Sequence, residues 1–447
     1  MAPQNEERAA RLRAQANDPS FENVWQELRW RGLVHVSTDE AALEQALAGE
    51  PVSYYCGFDP TAPSLHLGHL VQLLTLRRLQ LAGHHPYALV GGATGLIGDP
   101  RQTSERVLNS QETVAAWVES LRAQIEPYLS FEGENAATMV NNLDWTAGMS
   151  ALDFLRDVGK NFRVGTMVKK EIVAKRLNSD EGISYTEFSY QVLQGNDFLE
   201  LHRRHGVTLQ TGGSDQWGNL TAGTELIRKV EGTHAHALGT PLITNADGTK
   251  FGKSEGNAVW LDAEMCSPYA FYQFWLNTAD ADVVDRLKVF TFLTRAEIEE
   301  YAQKVADEPF RREAQKRLAW EVTALAHGEE TTTKVIEASQ AVFGGGDLTT
   351  VDPDTLTAVL AELPQADRTQ WEGEPGTVTA VELLVSTGLV ASRSEARRTV
   401  RDGGASVNNV RVTDADQVFT RDDALAGRHL LVRRGKKNMA GADLGEG

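Results

Sequence analysis

A chain of 447 residues with 44 Lys and Arg against 62 Asp and Glu has a formal net charge of -18; it is long enough for roughly two to four domains and has no bulk attraction for a polyanion, so any nucleic-acid surface must be a local basic patch. Cys56 and Cys266 are too few and too far apart to build a disulfide framework. The start, Met-Ala-Pro-Gln-Asn-Glu-Glu-Arg, lacks the character of a signal peptide, and no apolar run reaches membrane-spanning length, so a reducing cytoplasm is the expected compartment.

Residues 1 to about 20 are polar and read as a mobile or surface helix. Phe21 to Leu33 and Thr38 to Leu47 read as helices beside the first strand, the second capped by Ser37 or Thr38. Val52 to Phe58 is apolar and aromatic and reads as a short buried strand. Asp59-Pro60-Thr61-Ala62-Pro63 ends it, because proline cannot donate to a ladder. Ser64 is the candidate cap of a helix from Leu65 to Leu81 that stops at Gly83. His66, Gly68 and His69 then sit in the first turn of a helix that follows a strand. Free N–H groups and the positive dipole end favour a phosphate there. Two imidazoles three residues apart share one face and can donate to its oxygens, and Gly68 permits close approach of a flat base or ribose. A metal site would need a third ligand at a telling spacing, which the sequence does not offer.

Pro86 to Gly92 and Thr138 to Asn142 read as further strands, with a helical pattern from Ser110 to Tyr128 between them. Alternating strands and helices imply a parallel sheet wrapped by helices, with ligands at the carboxyl ends of the strands. The stretches 57–69, 91–100 and 212–216 all follow strands. Ser184 to His205 reads as a helix with a Ser184–Glu187 capping box and a stop at Gly206. Tyr190, Gln194 and Asp197 share one face of it, a spacing that an ordinary solvated stripe would also show. Pro241 to Ser254 reads as a strand, a tight Asp247-Gly248 turn and a polar loop. Its Lys250 and Lys253, beside Gly252 and Ser254, could reach over a polyphosphate, although a plain solvated loop would look the same.

After Trp260 the pattern turns helical: Ser267–Leu276, Asp280–Phe292, Arg295–Glu308 and Phe310–Gly328, closed by Phe343-Gly344-Gly345-Gly346-Asp347. Residues 347–375 are acidic and read as a linker with one amphipathic helix. Thr377 to Lys437 changes sign. Arg393, Arg397, Arg398 and Arg401 share one helix, and Arg428, Arg433, Arg434, Lys436 and Lys437 follow. Arginines four apart offer one guanidinium face to phosphates, and no aromatic ladder for stacked bases is visible.

These motifs, taken together, resemble those of the class I aminoacyl-tRNA synthetases. His66-Leu67-Gly68-His69 is similar to the HIGH motif and Lys250-Phe251-Gly252-Lys253-Ser254 to the KMSKS loop. Tyr55 to His69, Gly91 to Pro100 and Gly212 to Asn219 resemble runs of the bacterial tyrosyl-tRNA synthetases, and the likeness covers nearly the whole chain. Ser394-Glu395-Ala396-Arg397-Arg398 and Gly403 to Asn408 resemble a small RNA-binding module shared with a ribosomal small-subunit protein.

The resemblance implies an α/β architecture: a Rossmann-like parallel-sheet catalytic domain over 1–262 and an α-helical anticodon-arm-binding domain over 263–346. The acidic linker 347–375, a small α+β RNA-binding domain over 376–437 and a disordered tail over 438–447 would follow. It implies that tyrosine and ATP give tyrosyl-adenylate and pyrophosphate, and that the tyrosyl group then passes to the terminal adenosine of tRNA(Tyr). Catalysis would rest on His66, His69, Lys250, Lys253 and Ser254. Tyrosine would be held by Tyr55 and Asp197 at the phenol, by Asp99, Tyr190 and Gln194 at the ammonium, and by Gln210. ATP would meet Cys56, Gly57, Asp59, His66, Gly68, His69, Gly213, Asp215, Gln216 and Lys253. Magnesium would arrive with ATP; no prosthetic group, dedicated metal cage or membrane partner is implied, and the family suggests a homodimer. RNA would meet Arg393, Arg397, Arg398 and Arg401, with Lys169, Lys170, Arg228 and Lys229 as candidates for the acceptor arm. The sequence departs from some relatives after Asp99, where a lysine is replaced within Arg101-Gln102-Thr103-Ser104-Glu105-Arg106; Arg101 or Arg106 could stand in for it. The contact of Gln72 with ATP is open. Three other readings are weaker. A tryptophan ligase would not need Tyr55 and Asp197. An RNA-binding protein without catalysis would not keep His66, His69, Lys250 and Lys253. Simpler nucleotidyltransferases lack the basic C-terminal module.

Overall fold

A computed structural model describes residues 3–100, 108–249, 251–254, 257–374, 376–435 and 438–445. Two compact units emerge: 1–265 with 276–322, and 266–275 with 323–447. The stretch 263–346, expected as one helical domain, is divided between them.

The first unit is built on a six-stranded sheet. Its strands are β1 (Val36–Ser37), β2 (Ser53–Phe58), β3 (His85–Val90), β4 (Thr138–Asn141), β5 (Leu209–Gly213) and β6 (His236–Thr240), in the spatial order β1-β6-β5-β2-β3-β4. All neighbours run parallel except the edge strand β1, which is antiparallel to β6. From β2 the chain moves outward one way through β3 and β4, then returns to start β5 on the other side. The topological switch point therefore lies between β2 and β5, where a ligand crevice is expected. Register pairs Tyr55 with Gln210 and Cys56 with Thr211 across that point. Strand alternation sends Tyr54 to one face, where its hydroxyl donates to the Leu76 carbonyl at 2.5 Å, and Tyr55 to the other, against Phe198 at 5.2 Å between centroids.

The helix after β2 is Leu67–Leu81, and it is buried on nearly every side, as a helix lying across the middle of a sheet must be. Its cap is His66, not Ser64. The Ser64 hydroxyl is committed elsewhere: it donates to the Leu65 carbonyl at 2.8 Å and accepts the Asp262 N–H at 3.1 Å. The helix Glu40–Leu47 is likewise capped by Asp39, which accepts the Ala42 N–H at 3.0 Å, because Ser37 lies in β1 and the Thr38 hydroxyl accepts from Ala237. The long helix Tyr185–His205 starts at Ser184 and ends at Gly206 in the left-handed region, as the sequence suggests. Only the Ser184 half of its capping box is in place as read, with the Glu187 carboxylate held by buried Arg176 at 2.8 Å.

In the second unit a four-stranded antiparallel sheet, Val410–Arg411, Ala405–Val407, His429–Arg434 and Asn438–Asp443, packs against the helices Ala380–Ser386 and Arg393–Arg401. Two expectations are corrected here. Residues 438–443 are not a disordered tail: they pair with the whole of His429–Arg434, and Ala440, Ala442 and Leu444 are buried. Small alternating residues suffice there because the strand fills a narrow slot beside Leu430 and Val432. The acidic stretch holds the one amphipathic helix expected of it, Pro353–Ala361, which buries Leu356, Val359 and Leu360, but the rest of it is packed on the unit and is not a plain linker. Trp371 donates its indole N–H to Ser386 at 2.9 Å, and Ala366 donates to the Gly441 carbonyl at 2.9 Å. Acidic residues can line a packed segment when its apolar members face inward and its charges face water.

Candidate active site

His66 and His69 form a reciprocal cap. The Nδ1 of His66 accepts the Gly68 N–H at 3.0 Å, and the Nδ1 of His69 accepts the His66 N–H at 3.2 Å. A nitrogen that accepts carries no proton, so in each neutral ring the proton sits on Nε2. Burial pushes both imidazoles below their ordinary pKa, His69 furthest. The rings stack at 3.9 Å and 23°. The pair thus offers two neutral Nε2–H donors from the end of a buried helix. Gly68 is required by this cap itself: a Cβ there would lie 2.9 Å from Cε1 of His66.

The second signature returns to the first through the backbone. The Val259 N–H donates to the Gly252 carbonyl at 2.9 Å, the Leu67 N–H to Val259 at 3.3 Å, and the Leu261 N–H to Leu65 at 2.8 Å. His66 and Trp260 face each other in an antiparallel bridge. Lys253–Ser254 form a short strand paired with Asn257–Ala258. Lys250, Arg101 and Arg106 lie outside the described residues.

A cavity of about 520 Å³ opens at the switch point between β2 and β5. Tyr55, Cys56, Gly57, Asp59, His66, Gly68, His69, Asp99, Tyr190, Gln194, Asp197, Gln210, Gly213, Asp215 and Gln216 all line it. At one end Asp197, buried, accepts from Trp145 Nε1 at 2.8 Å and Asn142 Nδ2 at 3.0 Å. Burial nevertheless lifts its pKa to about 7. Tyr55 lies nearby, and its hydroxyl is buried without a hydrogen-bond partner among the described residues, as are the side-chain oxygens of Gln194 and Gln210. Elsewhere on the wall, the Tyr190 hydroxyl donates to Asp59 at 2.7 Å, and Thr94 donates to the other Asp59 oxygen at 2.6 Å. Asp99 accepts from Asn219 at 3.1 Å and Gln216 at 3.3 Å. Lys170 is bonded to the Gly218 carbonyl, and burial draws its pKa down to about 8 against the pull of Asp99. Asp215 folds back on Gly213, whose missing Cβ would lie 2.4 Å from the carboxylate. Burial pushes the Cys56 thiol up to about 12, so it stays protonated. Gln72 is committed to Thr240 at 2.7 Å. Among the described residues no group of three or more His, Cys, Asp or Glu is gathered to hold a metal ion.

Comparison with known proteins agrees with this geometry. The family model described as tRNA synthetases class I (W and Y) matches residues 47–344, and that of the tyrosine–tRNA ligase SYY-like C-terminal domain matches residues 359–440. The tyrosine–tRNA ligase of Leifsonia xyli is 68% identical over 437 residues, 98% of this chain and 97% of that protein. That of Streptomyces avermitilis is 61% identical, covering 94% of this chain and 99% of its own. The chain belongs to the class I tyrosyl-tRNA synthetases. Among solved structures, the truncated mitochondrial tyrosyl-tRNA synthetase of Coccidioides posadasii is 30% identical with a TM-score of 0.63, covering 75% of this chain and 94% of that one.

The synthetase's sequence conceals some of its site. Asn142 and Trp145 grip Asp197 from beyond β4, Asn219 holds Asp99, and Thr94 holds Asp59, yet none of these drew a role from spacing. The available signals were the place of Asn142 at the carboxyl end of a strand and of Thr94 and Asn219 in the runs 91–100 and 212–219. In the C-terminal module, exposed Arg393, Arg397 and Arg401 are paired: with Glu372 at 2.6 Å, with Asp416 at 2.8 Å and with Asp402 at 3.5 Å. Arg398 is exposed on the same helix. Arg228 and Lys229 both meet Glu225.

Proposed function

We propose the following division of labour for this tyrosine–tRNA ligase. The tyrosine carboxylate attacks the α-phosphorus of ATP. The bond from that phosphorus to the bridging oxygen breaks, pyrophosphate leaves, and tyrosyl-adenylate remains. The substrate is its own nucleophile, so the protein's task is positioning and charge stabilisation. The Nε2–H groups of His66 and His69 donate to phosphate oxygens as charge develops. Lys250, Lys253 and Ser254 act on the pyrophosphate portion, and magnesium enters as part of the nucleotide substrate. Asp215, with Gly213, takes the ribose, Cys56, Gly57, Asp59 and Gly68 line the nucleotide's path, and Gln216 sits by the reacting carboxylate. Asp99, Gln194 and Tyr190 receive the ammonium, with Gln210 beside them, and Tyr190 acts through its bond to Asp59. Tyr55 and Asp197 receive the phenol hydroxyl. Phenylalanine would leave the Tyr55 hydroxyl buried without a partner and offer Asp197 no donor beyond Asn142 and Trp145, which is the cost that rejects it.

In the second step the tyrosyl group moves to a ribose hydroxyl of the terminal adenosine of tRNA(Tyr) and AMP leaves. The helices within 263–346 meet the anticodon arm, and Arg393, Arg397, Arg398 and Arg401 meet RNA phosphates by exchanging their carboxylate partners. The enzyme works as a homodimer in the cytoplasm. Exposed Leu152, Leu155, Val164 and Tyr185 support a second copy as the partner, since large apolar side chains in water are candidates for an interface.

The observation that carries this reading is the Tyr55 hydroxyl, buried beside Asp197 on the wall of the cavity that His66 and His69 also line. Amino-acid-dependent exchange of pyrophosphate into ATP tests it. Exchange with tyrosine but not phenylalanine or tryptophan is the expected outcome; exchange with tryptophan would overturn the pocket assignment.

A further inference from the structure

The loop leading into Lys250–Ser254 is gripped by the helix Asp280–Phe290. Asp282 accepts the Ala246 N–H through both oxygens, at 3.0 and 3.3 Å. One turn later Arg286 donates through Nη2 to the Thr244 carbonyl at 2.6 Å and approaches Asp282 at 3.4 Å. Its guanidinium carbon lies 4.6 Å from the centroid of the Phe251 ring, which packs on Phe290 at 5.5 Å. The Arg286 side chain is only 6% exposed. Burying a cation is costly, and it persists where hydrogen bonds, a carboxylate and an aromatic face all meet it at once. None of these helix residues lines the cavity. Their contacts fall on Thr244, Ala246 and Phe251, all in the segment that carries the signature. The far end of that segment is tied to Leu65 and Leu67 through Val259 and Leu261. The signature is therefore suspended between two anchors, one belonging to the histidine turn and one to the helix Asp280–Phe290.

We propose that Arg286 and Asp282 are positioning residues for adenylation, fixing the entry of the signature loop so that Lys250 and Lys253 meet the pyrophosphate part of ATP. This rests on the role given to those lysines above. Misplacement of a catalytic group by about 1 Å costs up to about a hundredfold in rate, while tyrosine, bound at the other end of the cavity, should not sense it.

The test measures single-turnover adenylation and equilibrium tyrosine binding on the full-length enzyme. Arg286→Met and Asp282→Ala should each slow adenylation by about ten- to a hundredfold, with the tyrosine dissociation constant unchanged. Asp282→Asn should recover most of the rate, because its amide oxygen still accepts the Ala246 N–H. Lys253→Ala serves as the reference. Wild-type adenylation in both clamp variants, with Lys253→Ala slow, overturns the proposal. So does a parallel loss of tyrosine binding in both, which would mean general loosening. If Arg286→Met fails to fold, the Asp282 pair decides. Wild-type adenylation by Lys253→Ala would instead overturn the lysine reading, and the clamp with it.

Discussion

Trp145 donates its indole N–H to Asp197 at 2.8 Å while Asn142 holds the other carboxylate oxygen at 3.0 Å. One donor on each oxygen fixes the carboxylate, which lines the cavity although neither donor does. A hydrogen bond to a charged group is worth about 1.5–3 kcal/mol. Trp145→Phe or Asn142→Ala should therefore raise the tyrosine KM by about tenfold or more and leave the weak reaction with phenylalanine unchanged. Pyrophosphate exchange with both amino acids reads the ratio directly.

The same carboxyl gives a pH signature. Burial raises Asp197 from 3.8 to about 7, outweighing the two donors, which lower it. A phenol that donates its proton needs the carboxylate form. The tyrosine KM should fall as pH rises from about 6 to about 8, and Asp197→Asn should flatten that profile. Stability has the opposite sense. Between about pH 4 and about pH 7 the folded state holds a proton that the unfolded chain has lost, so stability contributed by this group declines as pH rises through that window. Denaturant midpoints of the free enzyme should show this decline more strongly than those of the Asn variant.

His66 has two duties that substitution can separate. As a cap it accepts the Gly68 N–H; in the proposed function it also presents Nε2–H to phosphate. His66→Ala should remove both, costing about 1 kcal/mol of stability and about 10²- to 10³-fold in adenylation. His66→Ser keeps a capping oxygen and loses the donor, so the stability should return and the rate should not. Thermal unfolding and single-turnover adenylation on the two variants resolve the roles.

The strand–turn–helix around His66 was legible because two prolines must end the strand and an apolar run must follow. The identity of the cap was not, since an imidazole acceptor at that position has no composition signal and Ser64 supplies the usual one. Tyr190, Gln194 and Asp197 were legible as one face of a helix, a local property. Their partners were not: Asn142 and Trp145 reach Asp197, and Thr94 and Asp59 line up with Tyr190, through sheet topology alone. Ala440-Gly441-Ala442 resembles a tail because small residues carry little hydrophobic signal; only the slot beside His429–Arg434 makes them a strand.

A second copy of the chain would cover Leu152, Leu155, Val164 and Tyr185, of which Leu152 is 77% and Tyr185 68% exposed. Leu155→Asp or Tyr185→Asp places a charge where that contact would be desolvated, which is strongly unfavourable. Sedimentation should show monomer in place of dimer at micromolar concentration. Unchanged sedimentation in both variants would overturn the proposal that these residues form the dimer contact.

The fold also depends on a buried charge at Arg31. Its Nε donates to Glu27 at 2.7 Å, its Nη1 to the carbonyls of Lys288 at 2.9 Å and Thr291 at 3.2 Å, and its Nη2 to that of Leu293 at 2.8 Å. Both charged side chains are almost wholly buried, at 0% and 1%. The pair's net contribution is modest, because desolvation offsets attraction, but removal of one partner strands the other. Arg31→Met should therefore cost about 3–5 kcal/mol by leaving the buried Glu27 carboxylate without its ion-pair partner, held by the Asp18 N–H at 3.2 Å. Pairing the change with Glu27→Leu should recover a large part of that loss, even though no ion pair is restored. Denaturant unfolding of the single and double variants separates the cost of a stranded carboxylate from the loss of the three carbonyl contacts, since only the first is relieved by the second substitution.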